Sequence, residues 1–163
     1  MVIEILLERV AAALKRHKSG CLIAETEIAG TRVVLARPTS YMNESGRQVG
    51  PLVRWYKSPV DHVVVVHDEL DLPFGEVRIK AGGGTAGHNG VKSLAGPLGG
   101  KDFVRVRVGV SRPRAGDATA YVLSDFSAGE RHDLSAILER SADAVERIIE
   151  AGVERAMNEI NTR

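Results

Sequence analysis

The sequence predicts one three-layer α/β/α domain with a mixed, mostly parallel twisted sheet. Helical and strand-like segments alternate along its 163 residues, a length that supplies one sizeable core. The run 63–66 consists of valine alone, and a strand that is apolar throughout is typical of a sheet covered by helices on both faces. We therefore treat residues 1–163 as a single domain.

The first third of the chain predicts a helix and a hairpin. Apolar residues recur at helical spacing from residue 2 to 17, and Gly20 follows where such a helix would end. Two β-prone runs, 22–28 and 32–36, are joined through Gly30, which indicates a tight turn between paired strands.

The rest of the chain continues this alternation. The valine strand ends in His67-Asp68-Glu69, and ligands in α/β sheets bind at strand ends. Asn43 is a candidate cap for the helix that follows it. The predicted helices cover 43–56, 88–98 and 134–149, and the predicted strands cover 63–66, 76–80 and 104–110.

The run GGGTAGHNG, from Gly82 to Gly90, is the most distinctive stretch of the chain. Because glycine has no Cβ, the backbone can pass close to a ligand there, while His88 and Asn89 offer directed hydrogen bonds. Two interpretations stay open from these residues alone: a ligand-binding loop, or a flexible turn before a helix.

Charge is segregated although the net charge is only +1. Residues 76–114 hold eight basic and two acidic residues, whereas residues 115–163 hold five basic and ten acidic ones. A local cationic face favours a polyanionic partner, because phosphates respond to nearby lysine and arginine side chains. The alternative is an ordinary solvated surface.

Composition restricts the location of the protein and its chemistry. Cys21 is the one cysteine and no apolar run approaches the ~20 residues that span a bilayer, so we expect a soluble cytoplasmic protein without a disulfide. His67, Asp68 and His88 could be imagined as a metal site, but no short ligand spacing such as His-x-x-x-His is present. We predict neither a metal nor a cofactor.

Five ordered runs resemble the bacterial peptidyl-tRNA hydrolase family, and the resemblance covers almost the whole chain. It implies a monomeric α/β domain that cleaves the ester between a peptide and the 3′ end of tRNA, recycling stalled tRNA without a metal. The runs are PTSYMNESG (38–46), HDELDLP (67–73), GGGTAGHNG (82–90), FVRVRVGVSRP (103–113) and YVLSDF (121–126).

The resemblance also implies site residues, matched position by position. Asp68 matches the aspartate that orients the catalytic histidine, and Asn43 matches the asparagine that holds the attacking water. Tyr41 and Met42 fall in the substrate-contacting segment. The remaining matches are His88 and Asn89 near the tRNA end, and Lys80, Arg105 and Arg107 as cationic contacts to the tRNA backbone. A helix cap for Asn43 and a structural imidazole for His88 remain alternatives.

One departure from the family concerns the catalytic base. The family opens with a strand, a glycine-containing loop and an Arg-His-Asn segment whose histidine is the base, whereas the helix beginning at Met1 resembles the family's first helix. His17 and His62 stand at the wrong positions to replace it. We expect the domain to be incomplete at its N-terminus and inactive as given, and the alternative is a non-catalytic RNA-binding relative.

Overall fold

Helices and strands alternate along the chain, as the sequence predicts. The computed structural model describes residues 1–40, 44–83, 89–110 and 128–162. The helices there are α1 (Val2–Val10), α2 (Gly46–Tyr56), α3 (Asn89–Ala95), α4 (Ala128–Ala151) and α5 (Val153–Ile160). The strands are β1 (Lys15–Arg16), β2 (Leu22–Ile28), β3 (Thr31–Arg37), β4 (Val64–Glu69), β5 (Val77–Ala81) and β6 (Val104–Gly109).

The first sheet is antiparallel, with the order β1-β2-β3. Its strands β2 and β3 are joined by two residues with positive φ, Ala29 at 51° and Gly30 at 78°. Positive φ at both central positions matches the right-handed twist of the strands that flank a two-residue turn. The predicted hairpin is confirmed, and Ile28 pairs with Thr31 across the turn.

The second sheet has the order β4-β6-β5, with β4 parallel to β6 and β5 antiparallel to it. One face packs against α1, α4 and α5 through a core that includes Leu6, Val106 and Ile148. The other face packs against α2 and α3 around Val91 and Phe103. Helices on both faces make three layers, so the predicted layer architecture and the mixed α/β class are confirmed.

The predicted sheet differs from the observed one in two respects. The described strands form two three-stranded sheets, and β4–β6 is the one parallel pair among four described pairs. The prediction of a mostly parallel sheet is therefore wrong for this part of the chain. The short turns before β2 and β3 allow antiparallel pairing only, because a parallel connection needs a dozen or more residues.

The first helix is shorter than predicted. It ends at Val10, where Ala11 adopts a left-handed conformation with φ 53° and closes the helix by donating to the backbone oxygen of Glu8 at 3.2 Å. The helical spacing continues to residue 17, but Lys15 and Arg16 pair with β2 instead. Strand pairing thus overrides local helical propensity in this segment.

Among the described strands the valine strand β4 lies at an edge of its sheet, whereas its composition predicts an internal buried strand. Within the described strands β4 pairs with β6 alone, and Val64, Val65 and Val66 are half-buried. The far edge at β5 is covered differently, because the side-chain amide of Asn161 exchanges two hydrogen bonds with the backbone of Ile79, at 2.8 and 2.9 Å. None of the described helices is long and apolar enough to span a bilayer.

Gly46 tests the close packing of α2 on α3. A Cβ at this position would lie 2.1 Å from the backbone oxygen of Ser93, whereas a Cβ at Gly96 would meet nothing within 4 Å. We expect Gly46→Ala to lower the free energy of unfolding by about 1–3 kcal/mol, the usual cost of overpacking. Urea denaturation measures this, with Gly96→Ala as the control, and equal midpoints for the two variants would contradict the close contact.

Tyr56 tests the docking of α2 on the first sheet. Burial and then the hydrogen bond that its hydroxyl donates to Glu25 raise the pKa of Tyr56 to about 12. A pKa raised on folding adds stability below pH ~10 that is lost as the pH rises through the folded value. We expect Glu25→Gln to bring the Tyr56 pKa back toward its ordinary value, as followed by phenolate absorbance, and an unchanged titration would exclude this contact.

Candidate functional site

Side-chain alternation gives the second sheet two unlike faces. Valines of β6 project toward α1 and α4, while the opposite face carries basic residues. Arg107 lies between Arg78 of β5 and His67 of β4 in the strand register, and Arg105 is paired with Lys80. We call Arg78, Lys80, Arg105 and Arg107 the cationic face. Sequence reasoning missed Arg78, although its two-residue spacing from Lys80 was a sufficient signal.

Arg105 is the buried member of the cationic face. Its side chain is 2% exposed, its Nη2 donates to the backbone oxygen of Gly83 at 2.6 Å, and its guanidinium lies 5.1 Å from the ring centroid of Phe103. Burial, followed by the charge of Arg107, lowers the pKa of Arg105. Arg105 therefore fixes the backbone at the start of the glycine-rich run.

The other three cations differ in their carboxylate partners. Arg107 lies 3.5 Å from Glu69, which is 4% exposed, and Arg78 lies 2.9 Å from Glu76. In the described ranges Lys80 forms no ion pair with a carboxylate. The cationic face therefore keeps an excess of positive charge, which a phosphate can balance.

His67 and Asp68 point to opposite faces at the end of β4, as successive residues of a strand must. His67 is buried on the cationic face, and its Nδ1 donates to the backbone oxygen of Asp68 at 2.7 Å. This hydrogen bond fixes the ring orientation and its tautomer. Asp68, half-buried and paired with Val108, lies on the valine face at the strand end.

The N-terminal ends of α2 and α3 meet on the face that carries the cations. The backbone N–H of Gly46 donates to Ser93 Oγ at 3.2 Å, and that hydroxyl donates to the backbone oxygen of Gly90 at 2.8 Å. Gln48 Oε1 accepts from the backbone N–H of Thr39 at 2.7 Å. These bonds attach the first residue of α2 to α3 and the chain at Thr39 to α2, and no sequence signal singled out Gln48 for this contact.

Several predicted site residues lie at this junction in the chain. Asn89 is the first residue of α3. The helix that follows Asn43 in the chain begins at Gly46, with Ser45 at the N-cap position. Outside the described residues lie Tyr41, Met42, Asn43 and His88.

Two further imidazoles lie away from the end of β4. The His17 ring contacts Trp55 with 5.6 Å between centroids. His62 precedes β4 and is six positions before Asp68, which is about 20 Å along an extended chain. His62 therefore precedes the valine strand as the sequence analysis expects, whereas His17 lies in the turn after β1 and not at the end of a helix that reaches residue 17. Among the described residues no group of three or more histidine, cysteine, aspartate or glutamate side chains could hold a metal.

Comparison with known proteins assigns the chain. A family model described as peptidyl-tRNA hydrolase matches residues 1–163. The chain belongs to the peptidyl-tRNA hydrolase family. The peptidyl-tRNA hydrolase of Mycolicibacterium smegmatis is 50% identical over 163 residues, covering 99% of this chain and 85% of that protein. The corresponding enzyme of Mycolicibacterium vanbaalenii is 51% identical with the same coverage.

Solved structures agree with this assignment. The crystal structure of peptidyl-tRNA hydrolase from Acinetobacter baumannii matches with a TM-score of 0.91 and 30% identity, covering 98% of this chain and 82% of that one. The family is one of ester-cleaving hydrolases that act on peptidyl-tRNA. The fold, the family and the enzyme class implied by the sequence resemblance are thereby confirmed.

The Glu69–Arg107 pair tests how charge is balanced on the cationic face of this peptidyl-tRNA hydrolase. Arg107→Gln leaves the buried Glu69 carboxylate without its described cation, and we expect a loss of about 1–3 kcal/mol of unfolding free energy. Adding Glu69→Gln should recover most of that loss, as urea denaturation would show. The control is Arg47→Gln, because the Arg47–Glu44 pair is exposed. If the double variant were as unstable as Arg107→Gln alone, the pairing of Glu69 with Arg107 would be contradicted.

Proposed function

We propose that the chain binds peptidyl-tRNA where the C-terminal end of β4 meets the segments that enter α2 and α3. In this proposal the tRNA phosphates contact the cationic face, and the ester lies beyond the C-terminal end of β4, where Asp68 can be reached from either face of the sheet, and near Asn43. Tyr41, Met42, His88 and Asn89 lie around the tRNA end. The protein acts as a monomer in the cytoplasm, within one domain spanning residues 1–163.

The cationic face is the observation that carries the proposal. Its residues lie side by side on β5 and β6, on the sheet face against which α2 and α3 pack. Adjacent strands are about 4.8 Å apart, so their basic side chains form a continuous strip. Such a strip attracts a phosphate backbone without regard to base sequence, which suits an enzyme that recycles many tRNAs.

Arg105 has a supporting role in this proposal. It donates a hydrogen bond to the carbonyl of Gly83, the last described residue before the rest of the glycine-rich run, while Lys80 and Arg107 meet the phosphates more directly. Lys80 is half-buried, and its chain lies against Gly83, where a Cβ would come within 2.5 Å of Lys80 Cε. The glycine therefore leaves room for the lysine beside the loop.

The chemistry requires water to lose a proton as it attacks the ester carbonyl. Histidine is the usual base near neutral pH. By resemblance to the family, Asp68 orients that histidine and stabilises its charged form, and Asn43 holds the water. The matching positions of this chain supply the aspartate and the asparagine but no counterpart of the base. General base catalysis is typically worth about 10²–10⁴-fold, so we propose slow turnover with binding retained.

Turnover tests this reading of the catalytic residues. We expect these 163 residues to cleave a labelled peptidyl-tRNA at least about 10²-fold more slowly than the Mycolicibacterium smegmatis relative at equal protein concentration. Binding, followed by fluorescence anisotropy of the labelled tRNA, should persist. Rapid cleavage would show that another residue supplies the base.

Lys80 tests the proposed phosphate contact. We expect Lys80→Gln to weaken tRNA binding uniformly across tRNAs and to reduce the slope of log affinity against log salt by about one. Arg155→Gln is the control, because Arg155 is exposed on α5 on the other side of the sheet. Equal salt slopes for the two variants would exclude Lys80 from the tRNA interface.

A further inference from the structure

A basic and aromatic cluster lies where the turn between β1 and β2 meets the C-terminal end of α2. We call it the turn–α2 surface, and its members are Lys15, His17, Lys18, Trp55 and Tyr56. The proposed peptidyl-tRNA site uses none of these side chains. Trp55 is nine residues beyond Gly46 on α2, a distance of about 14 Å along the helix axis.

The cluster is held in a fixed geometry. The His17 ring meets Trp55 edge-on, with centroids 5.6 Å apart at 71°, and Lys18 Nζ lies 3.6 Å from the centroid of the Trp55 ring. The turn is closed by the backbone N–H of Ser19, which donates to His17 Nδ1 at 3.0 Å, and by that of Gly20, which donates to the His17 oxygen at 3.0 Å. The surface is therefore preorganised.

Trp55 is unusually exposed for its size. Its side chain is 55% exposed, and Met1 is the other large apolar side chain that is exposed in the described part of the chain. One exposed apolar side chain is ordinary by itself. An indole with the Lys18 ammonium group over its ring differs, because the ring face and the charge together match a nucleotide.

The two lysines of the turn–α2 surface are not ion-paired in the described part of the chain. Within the described ranges, Lys15 and Lys18 form no ion pair with a carboxylate. Glu25, the carboxylate that reaches the surface, accepts the hydrogen bond of the Tyr56 hydroxyl. The two lysines are therefore available for an anionic ligand.

Residues 15–18 form a basic run, and the strand register places Lys15 and Arg16 of this run on opposite faces of the first sheet. Lys15 is paired with Ile23, whose side chain packs against α2, so Lys15 and His17 project toward α2. Arg16 is paired with Leu22 and projects from the opposite face of the sheet. Lys15 thus contributes a positive charge to the turn–α2 surface, whereas the charge of the neighbouring Arg16 lies outside that surface.

We propose that the turn–α2 surface binds an unpaired nucleotide of RNA, with the base stacked on Trp55 and the flanking phosphates on Lys15 and Lys18. Stacking of bases on an aromatic ring together with cations that follow the backbone is the general means of holding single-stranded nucleic acid. Lys18 already lies over the indole, so an arriving base exchanges one ring contact for another and releases the ammonium group to a phosphate. The inference rests on the proposed function only in that this RNA is part of the bound tRNA.

Intrinsic fluorescence reports directly on this surface, because Trp55 is the only tryptophan of the chain. Titration with an unstructured uridine oligomer should quench that fluorescence, and added salt should reverse the quenching. The oligomer carries no ester and no peptide, so its binding is read separately from that of peptidyl-tRNA. Fluorescence that stays constant up to saturating oligomer would overturn the proposal.

Variants identify the contributing side chains. Trp55→Ala should weaken oligomer binding about tenfold, as measured with a labelled oligomer, and Trp55→Phe should lose less because it keeps a ring for stacking. Lys18→Gln should lower the salt slope by about one, whereas Arg16→Gln, which removes the same charge from the opposite face, should change it little. Equal effects of Lys18→Gln and Arg16→Gln, or unchanged affinity in Trp55→Ala, would overturn the proposal.

The two proposals fail separately. Lys80→Gln should weaken binding of tRNA while leaving oligouridine quenching intact, because Lys80 lies on the second sheet. If Lys80→Gln left tRNA binding unchanged while oligouridine still quenched Trp55 fluorescence, the proposed peptidyl-tRNA site alone would be refuted. Loss of quenching with the Lys80 effect retained would refute the turn–α2 surface alone.

Discussion

The register of β6 between β4 and β5 determines the character of the second sheet. Because strand side chains alternate, this register sends valines into the core and Arg105 and Arg107 to the other face. A slip by one residue would bury both guanidinium groups among α1 and α4 and expose the valines. The same register therefore determines both the core and the cationic face. Burial of the valines of β6 stabilises the register that places its arginines on the opposite face.

Arg105 and Arg107 occupy equivalent positions in the alternating pattern of β6, but they differ in burial. Arg105 lies beside Phe103 and holds Gly83, whereas Arg107 is partly exposed beside Glu69. Burying a guanidinium is unfavourable unless its donors find acceptors, and a backbone carbonyl at the start of a glycine-rich loop is such an acceptor. The hydrogen bond to the Gly83 carbonyl thus offsets part of the cost of burial, and it links the charge pattern of β6 to the start of the glycine-rich run.

The features predicted best are those specified by neighbours in the chain. Gly30 and the β-prone runs around it indicate the hairpin locally, and the alternation of 104–109 indicates which side chains share a face. The burial of 63–66 could not be predicted in the same way, because an all-valine run is compatible with an internal or an edge strand. The partners of a strand are distant in sequence, and the composition of the strand does not determine whether it has one neighbouring strand or two. The family resemblance implies a role in the site for Asp68, but the place of Asp68 on the valine face follows from the register alone.

The first helix is predicted too long for the same reason, because the strand that pairs with its last residues is distant in sequence. The shorter helix has a consequence for the turn–α2 surface. The apolar spacing from residue 2 to 17 is helical, but the hydrogen bonds that Lys15 and Arg16 gain on the edge of β2 outweigh about two further turns of a partly polar helix. Because the chain leaves the helix at Ala11, it reverses at residues 17–20 and brings His17 and Lys18 against Trp55. A continuous helix would have carried those side chains away from α2. The competition between local propensity and strand pairing therefore creates the turn–α2 surface, and this is why helical periodicity alone gave no sign of it.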